Sequence, residues 1–242
     1  MFNILLIAGH GGDDPGAVAF NRREADLARE FVTLLQKELL KYECQCGVYN
    51  MARSMYHVLV AEGYHYNFKP YNYVFEVHFN AYVNDPGDGE NKGSEVWVTT
   101  SEKAITVEQK ILAAMASFGF KNRGVKRKNY SVIAEAKRQG VSSALFETCF
   151  IDDADDMAIY IKNKPAIVAA VAKAIADEYN LKKKEGAPVG FVDTQNHWAK
   201  ADIEKVAAAG LMKGYADNTF KPEKPVTRAE LATVLARLTE KE

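Results

Sequence analysis

Four side chains in this sequence have the types from which a hydrolytic metal centre could be built: His10, Glu24, His78 and Glu147. His10 follows an apolar run and opens a loop of glycine and aspartate, "AGHGGDDPGAV". Glu24 falls in the first turn of an expected helix, in "READLA". His78 closes the run "YVFEVHFNA", and Glu147 is a lone acid in "ALFETCF". Two imidazoles and one carboxylate suffice to hold zinc with a fourth position open, the pattern of a catalytic rather than a structural site. A further glutamate supplies a general base. The four residues lie on separate elements and no HExxH is present, so spacing alone leaves the set open. Plainer readings stand beside it: a turn residue for His10, a helix-start acid for Glu24 and a satisfied strand histidine for His78. Glu147 resists such a reading, because an acid among Leu145, Phe146, Cys149 and Phe150 needs a partner or a function. Glu76, two before His78 on the same strand face, is the alternative acid. His57, His65 and His197 sit in tyrosine-rich or surface contexts and are not taken as ligands.

The elements that must position these residues alternate in type. Apolar or β-branched runs predict strands at residues 2–8, 44–49, 73–79, 93–100 and 143–151. Helical periodicity predicts helices at 23–42, 55–62, 101–117 and 164–179; in the first, Leu27, Phe31, Leu34, Leu35 and Leu39 share one face. Strands alternating with helices imply an α/β fold, a mostly parallel twisted sheet flanked by helices. Such sheets bind ligands at the carboxyl ends of their strands, and His10 lies just past the end of the first.

The chain divides once, near Leu181. The expected organisation is a first domain at 1–181, a polar linker "KKKEGAP" within 182–190, and a small helical module at 191–242. The module shows an amphipathic segment at 201–209 and a second opening at "TRAE" (227–230), where threonine and glutamate have capping-box spacing. About 50 residues are marginal alone, so the module is expected to lean on a copy of itself or on the first domain.

The bulk properties exclude several classes. Of 242 residues, 48% are hydrophobic and 26% charged, with a net charge of −1, so neither nucleic acid nor an anionic membrane is an expected partner. Three cysteines argue against a disulfide framework; Cys44 and Cys46 are read as buried thiols on one strand face. No apolar run approaches the roughly 20 residues of a membrane span. The N-terminus lacks the basic and apolar regions of a signal peptide, so synthesis in the cytoplasm without that export route is expected.

In this order, "AGHGGDDPGAV", "READLA", "YVFEVHFNA", "NRGVKRK" and "ALFETCFIDD" resemble the zinc-dependent N-acetylmuramoyl-L-alanine amidases of the amidase-3 type, over residues 2 to about 181. The resemblance implies hydrolysis of the amide between N-acetylmuramic acid and L-alanine in peptidoglycan. It implies Zn²⁺ on His10, Glu24 and His78, with Glu147 as the catalytic glutamate. Asn80 matches an asparagine that follows the second histidine, and Arg123 an arginine near the substrate groove. The chain departs from the family at Ile7-Ala8, where an acid is common, at Phe79, where a small residue is usual, and along 57–71.

The tail resembles a single S-layer homology (SLH) motif, most specifically in "GYADNTF" and "TRAE". Such motifs hold proteins to secondary cell-wall polysaccharide of Gram-positive bacteria, which implies that Arg228 meets an acidic sugar and that Trp198 is core or a sugar platform. The family usually carries three motifs in tandem. One motif implies weak binding or a homo-oligomer through the module. Enzyme and anchor together imply a phage or prophage endolysin acting at the Gram-positive wall after release. A host autolysin or spore-cortex amidase, or a non-catalytic wall-binding protein on an amidase scaffold, is the alternative.

Overall fold

The computed structural model describes residues 1–184, 190–215 and 217–239. The chain forms two compact units, Met1–Lys182 and Lys183–Glu242. Most of the linker expected at 182–190 lies outside the described residues.

In chain order the first unit runs β1 (Phe2–Ala8), β2 (Val18–Ala19), β3 (Arg22–Arg23), α1 (Glu24–Leu39), β4 (Cys44–Val48), α2 (Met55–Val60), β5 (Tyr73–Asn80), β6 (Ser94–Val98), α3 (Thr106–Ala116), β7 (Asn122–Arg127), α4 (Ser131–Arg138), β8 (Ser142–Phe150) and α5 (Ala154–Glu178). Six strands form one sheet in the order β4-β1-β5-β8-β6-β7. Neighbours are parallel except β6 and β8, which run antiparallel. Strands β2 and β3 form a separate hairpin whose turn residues Phe20 and Asn21 both have positive φ, as a type I′ turn requires.

Side-chain alternation along β5 divides the sheet's two faces. Tyr73, Phe75, Val77 and Phe79 join a core built with α1, α3 and α5, which contribute Phe31, Leu35, Ile111 and Val168. On the opposite face, Val74 packs with Leu5 and Ile7 against Met55, Val132 and Ala136. The next residues of that second face, Glu76 and His78, are polar. The apolar half of the face is therefore covered, and its carboxyl-end half is polar.

The structure departs from the sequence expectation, first in the β2–β3 hairpin. Strand β7 and helix α4 were not anticipated: "NRGVKR" is polar and glycine-bearing, and its residues lie at the sheet edge without full burial. The last helix begins at Ala154, not near 164. The Asp153 side chain accepts from Asp156 N at 2.8 Å and caps it. Pro165 sits inside the helix; its missing donor is costly, roughly 3 kcal/mol, and is outweighed by burial of Met157, Tyr160, Ile167, Val168 and Val171. The cysteines Cys44, Cys46 and Cys149 are buried thiols, and burial pushes Cys46 up to about 12.

The second unit holds a 3-10 turn at Val192–Thr194, α6 (Lys200–Ala208) and α7 (Arg228–Thr239). Phe191 and Ile203 are buried, and the Phe191 and Phe220 rings stand 5.1 Å apart. The Asp193 carboxylate accepts from the backbone N–H of Phe220 and Lys221. Thr227 and Glu230 make the reciprocal bonds of a capping box at the start of α7. Helix α7 has no buried residue, and Leu231, Leu235 and Leu238 stand about half exposed. Among the described residues no helix is long and apolar enough to cross a membrane.

Candidate metal centre and active site

His10 follows β1 in the left-handed region, φ 64°, a conformation uncommon for a non-glycine residue and one that recurs at functional sites. Paired backbone bonds between Gly11 and Asp14 close the loop behind it. The same loop fixes Glu24. Arg23, at the N-cap of α1, makes no side-chain cap bond; instead the carbonyls of Ala17 and Pro15 accept from the N–H groups of Glu24 and Ala25. The loop that carries one ligand candidate thus caps the helix that carries the next.

The side chains converge. His10 Nε2 lies 3.1 Å from Glu24 Oε2, and His78 Nδ1 lies 2.8 Å from Glu24 Oε1. Ligand-type atoms of the three residues all fall within 4.8 Å of one another, and they are the group among the described residues that meets this condition. Each imidazole has a carboxylate on its other nitrogen: Asp14 Oδ2 at 2.7 Å from His10 Nδ1, and Glu76 Oε1 at 3.3 Å from His78 Nε2. Such partners fix tautomer and ring orientation and raise ligand basicity. Glu76, the alternative acid on sequence grounds, therefore stands behind the histidine.

Two glycines make the approach possible. A Cβ on Gly9 would fall 2.4 Å from His78 Cε1. Gly16, at φ 64°, would place one 2.6 Å from His10 Cδ2 and 2.7 Å from Glu24 Oε2.

Electrostatics follow from this packing. Burial opposes charge on Glu24, but the hydrogen bonds with His10 and His78 outweigh it and hold the carboxyl well below its ordinary range. Burial likewise opposes charge on His78; Glu24 and Glu76 prevail and raise it well above its ordinary value. His10 is raised in the same way, by Glu24 and Asp14 against burial. A buried carboxylate flanked by two imidazoles, each backed by a second acid, is an anionic nitrogen-and-oxygen donor set suited to a divalent cation such as zinc.

Glu147 stands in the same row. The β5–β8 register sets it opposite His78, and the β6–β8 register sets it opposite Glu95. Burial pushes its carboxyl up to about 7; His78 opposes, while Glu24, Glu95 and Glu76 add to the rise. Its Oε2 is buried and makes no hydrogen bond among the described residues. One extra residue in β8 shifts the register beyond this pair, so that Asn80 faces Phe150. Asn80 Nδ2 donates to Glu95 Oε1 at 3.2 Å, and Arg123 Nε donates to Glu95 Oε2 at 2.6 Å.

Of the residues singled out on sequence, the structure brings His10, Glu24, His78 and Glu147 to one place, with Asn80 and Arg123 joined through Glu95 beside them. Asp14 and Glu95 were missed. Glu95 carries the same signal that marks Glu147, a lone acid in an apolar strand ("SEVWV"). In the second unit Trp198 is 88% exposed, which excludes a core role, and Arg228 is exposed.

Comparisons with known proteins match this architecture. The Amidase_3 family, described as N-acetylmuramoyl-L-alanine amidase, matches residues 4–177, and the S-layer homology domain matches residues 190–232. The chain is 29% identical over 194 residues to an endolysin of Bacillus phage SPP1, covering 76% of this chain and 68% of that one. It is 25% identical over 223 residues to a sporulation-specific N-acetylmuramoyl-L-alanine amidase of Bacillus subtilis (strain 168), covering 89% and 83%. The solved catalytic domain of CwlV, an amidase of Bacillus (Paenibacillus) polymyxa, shares the fold at TM-score 0.60 and 19% identity, over 75% of this chain and 100% of that one.

Proposed function

The chain belongs to the Amidase_3 family of N-acetylmuramoyl-L-alanine amidases, and from that premise we propose a zinc-dependent hydrolysis assigned to named residues. The substrate is the amide joining the lactyl group of N-acetylmuramic acid to L-alanine in peptidoglycan. His10, Glu24 and His78 hold the ion. When bound, zinc polarises a carbonyl, activates water and stabilises developing negative charge. The observation that carries the assignment is the row itself: three donor groups within 4.8 Å, and one strand away a glutamate with an unpartnered carboxylate oxygen.

The residues divide the remaining work. Glu147 takes the proton of the attacking water and passes it to the departing nitrogen, a role served by a carboxyl near neutrality. Asp14 and Glu76 hold the two imidazoles in the tautomer that presents Nε2 of His10 and Nδ1 of His78. Asn80 and Arg123 border the substrate groove.

The SLH module anchors the enzyme to the cell wall, with Trp198 and Arg228 as the contacts to secondary polysaccharide. Its exposed α7 leucines support association through the module. Resemblance to a phage endolysin over 76% of the chain supports a lytic enzyme of a phage or prophage, acting at the Gram-positive wall. Similarity to a sporulation amidase over 89% supports a host enzyme as the second reading.

Mass spectrometry of digested peptidoglycan tests the proposal. The expected products are stem peptides with a free L-alanine amino group and glycan with a free lactyl carboxylate. They should vanish on chelation and return with Zn²⁺. Cleavage at another bond, or full activity in metal-free protein, would overturn it.

A further inference from the structure

Glu95 is buried to 2% exposure, yet it is the centre of a polar cluster on β6. Its Oε1 accepts from Asn80 Nδ2 at 3.2 Å and Trp97 Nε1 at 3.0 Å. Its Oε2 accepts from Arg123 Nε at 2.6 Å and Lys126 Nζ at 2.5 Å. Four donors from three strands therefore meet on one carboxylate. Arg123 and Lys126 come from β7, where one extra residue between the Ser94–Asn122 and Val96–Val125 pairs shifts the register at Arg123.

Arg123 and Lys126 place two cations on the one Glu95 carboxylate, and Glu147, opposite Glu95 on β8, is the next acid in the row. Arg123 also donates Nη1 to the Lys92 carbonyl and lies 4.8 Å over the Phe150 ring, which leaves Nη2 without a hydrogen bond among the described residues. Lys126 lies 5.2 Å over the Trp97 ring. Both cationic side chains keep about a third of their surface in solvent. Cationic donors held rigidly and still accessible are a site for an anion.

Position across the sheet says which part of a substrate reaches it. His78, Glu147 and Glu95 occupy successive strands in one row, at about 4.8 Å per strand. The acyl carbon of a scissile amide belongs at the His10–Glu24–His78 end, and its nitrogen at Glu147, which protonates it. The amine side of the substrate then extends toward Glu95. In a muramoyl peptide the acyl side is a neutral sugar once its carboxyl is amidated. The amine side is a peptide, and an α-carboxylate on its second residue lies across two residues, roughly 4–7 Å, from the scissile nitrogen. That reach matches one strand spacing.

We propose that Arg123 and Lys126, held by Glu95 as a positioning residue, bind the free α-carboxylate of the second residue of the stem peptide, and so select the acid over its amide. This rests on the amidase reading above. Charge-assisted hydrogen bonds of this kind contribute enough for about a tenfold to hundredfold preference.

The test uses N-acetylmuramoyl-L-alanyl-D-glutamate γ-methylamide, whose α-carboxylate is free, and the same compound with an α-carboxamide as paired probes for the zinc-loaded protein. The wild type is expected to show kcat/KM at least about tenfold higher for the acid. Lys126→Met is expected to bring the ratio close to one. A defect of folding alone would lower both substrates together and leave the ratio in place. Equal handling by the wild type, or an unchanged ratio in Lys126→Met, overturns the proposal. Calorimetric titration with L-alanyl-D-glutamate γ-methylamide against its α-amide reads the same preference without turnover. If neither muramoyl compound is cleaved, the amidase reading fails, while the titration still decides the anion site.

Discussion

Gly9 lies so close beneath His78 that a Cβ would stand 2.4 Å from Cε1, 2.5 Å from Nδ1 and 2.6 Å from Nε2 of the ring. The imidazole occupies the space a side chain would need, so Gly9→Ala must displace the ring that turns Nδ1 toward Glu24. The expected result is a folded protein whose zinc affinity falls more than about tenfold, an effect at least as large as losing an orienting partner. Competition titration with a chromophoric chelator measures it, and wild-type affinity in this variant would show that His78 does not hold the ion.

Asp14 and Glu76 act on the same ring orientations from behind. Asp14→Asn and Glu76→Gln preserve shape and remove the charge that sets each tautomer. Each is expected to lower zinc affinity by about 10–100-fold with little change in melting temperature of the zinc-free protein. His10→Ala and His78→Ala, which remove a ligand outright, should retain no stoichiometric zinc by elemental analysis.

Glu147→Gln separates chemistry from binding. The variant keeps the side-chain volume and is expected to keep zinc, but loses the proton acceptor and with it about 10²–10⁴-fold in kcat. If it lost its metal, Glu147 would be a ligand and the role of Glu24 would have to change.

Glu108 offers a pH signature outside the His10–Glu24–His78 group. It is fully buried on α3 and accepts from the Tyr73 hydroxyl at 2.9 Å, while its second oxygen is unpartnered. Burial pushes its carboxyl from an ordinary 4.5 up to about 7. The unfolded chain releases this proton first as pH rises, so the folded state holds more protons between about 4.5 and 7 and its stability falls across that window. Above it the loss is of the order of 3 kcal/mol, from about 1.4 kcal/mol per unit. Glu108→Gln should match the wild type at pH 4.5 and exceed it at pH 8. Urea denaturation at both values checks the sign, and a constant difference between the two proteins would refute it.

Removing residues 185–242 should leave turnover of a soluble muramoyl peptide nearly unchanged and weaken lysis of intact walls, because tethering raises local concentration without altering the chemistry. Arg228→Ala should reproduce the binding loss on walls that retain their polysaccharide. Equal wall binding by the truncated and full chains would remove the anchor from the account.

The sequence by itself determined most of the element types in the first unit and singled out candidate reacting groups. Strand β1 is legible as an apolar run closed by glycine, the capping box as Thr227 with Glu230, and Glu147 as an acid that no apolar strand would keep without use. These signals are local: they depend on neighbours within a few residues. What only the tertiary structure decided are relations between residues distant in the chain. Pairing of β6 antiparallel to β8 puts Glu95 beside Glu147, and the register of β5 on β8 puts His78 on its other side. Neither strand's own sequence states its partner, since strands of one face pattern pair equally well in several orders. The same limit hid β7, a polar edge strand whose Arg123 and Lys126 make sense only against Glu95. It also left Glu24 and Glu76 as rivals for one ligand position. A strand places side chains alternately, so Glu76 and His78 share a face, but the capping of α1 by the Pro15 and Ala17 carbonyls brings Glu24 to Nδ1 of His78 and leaves Glu76 at Nε2.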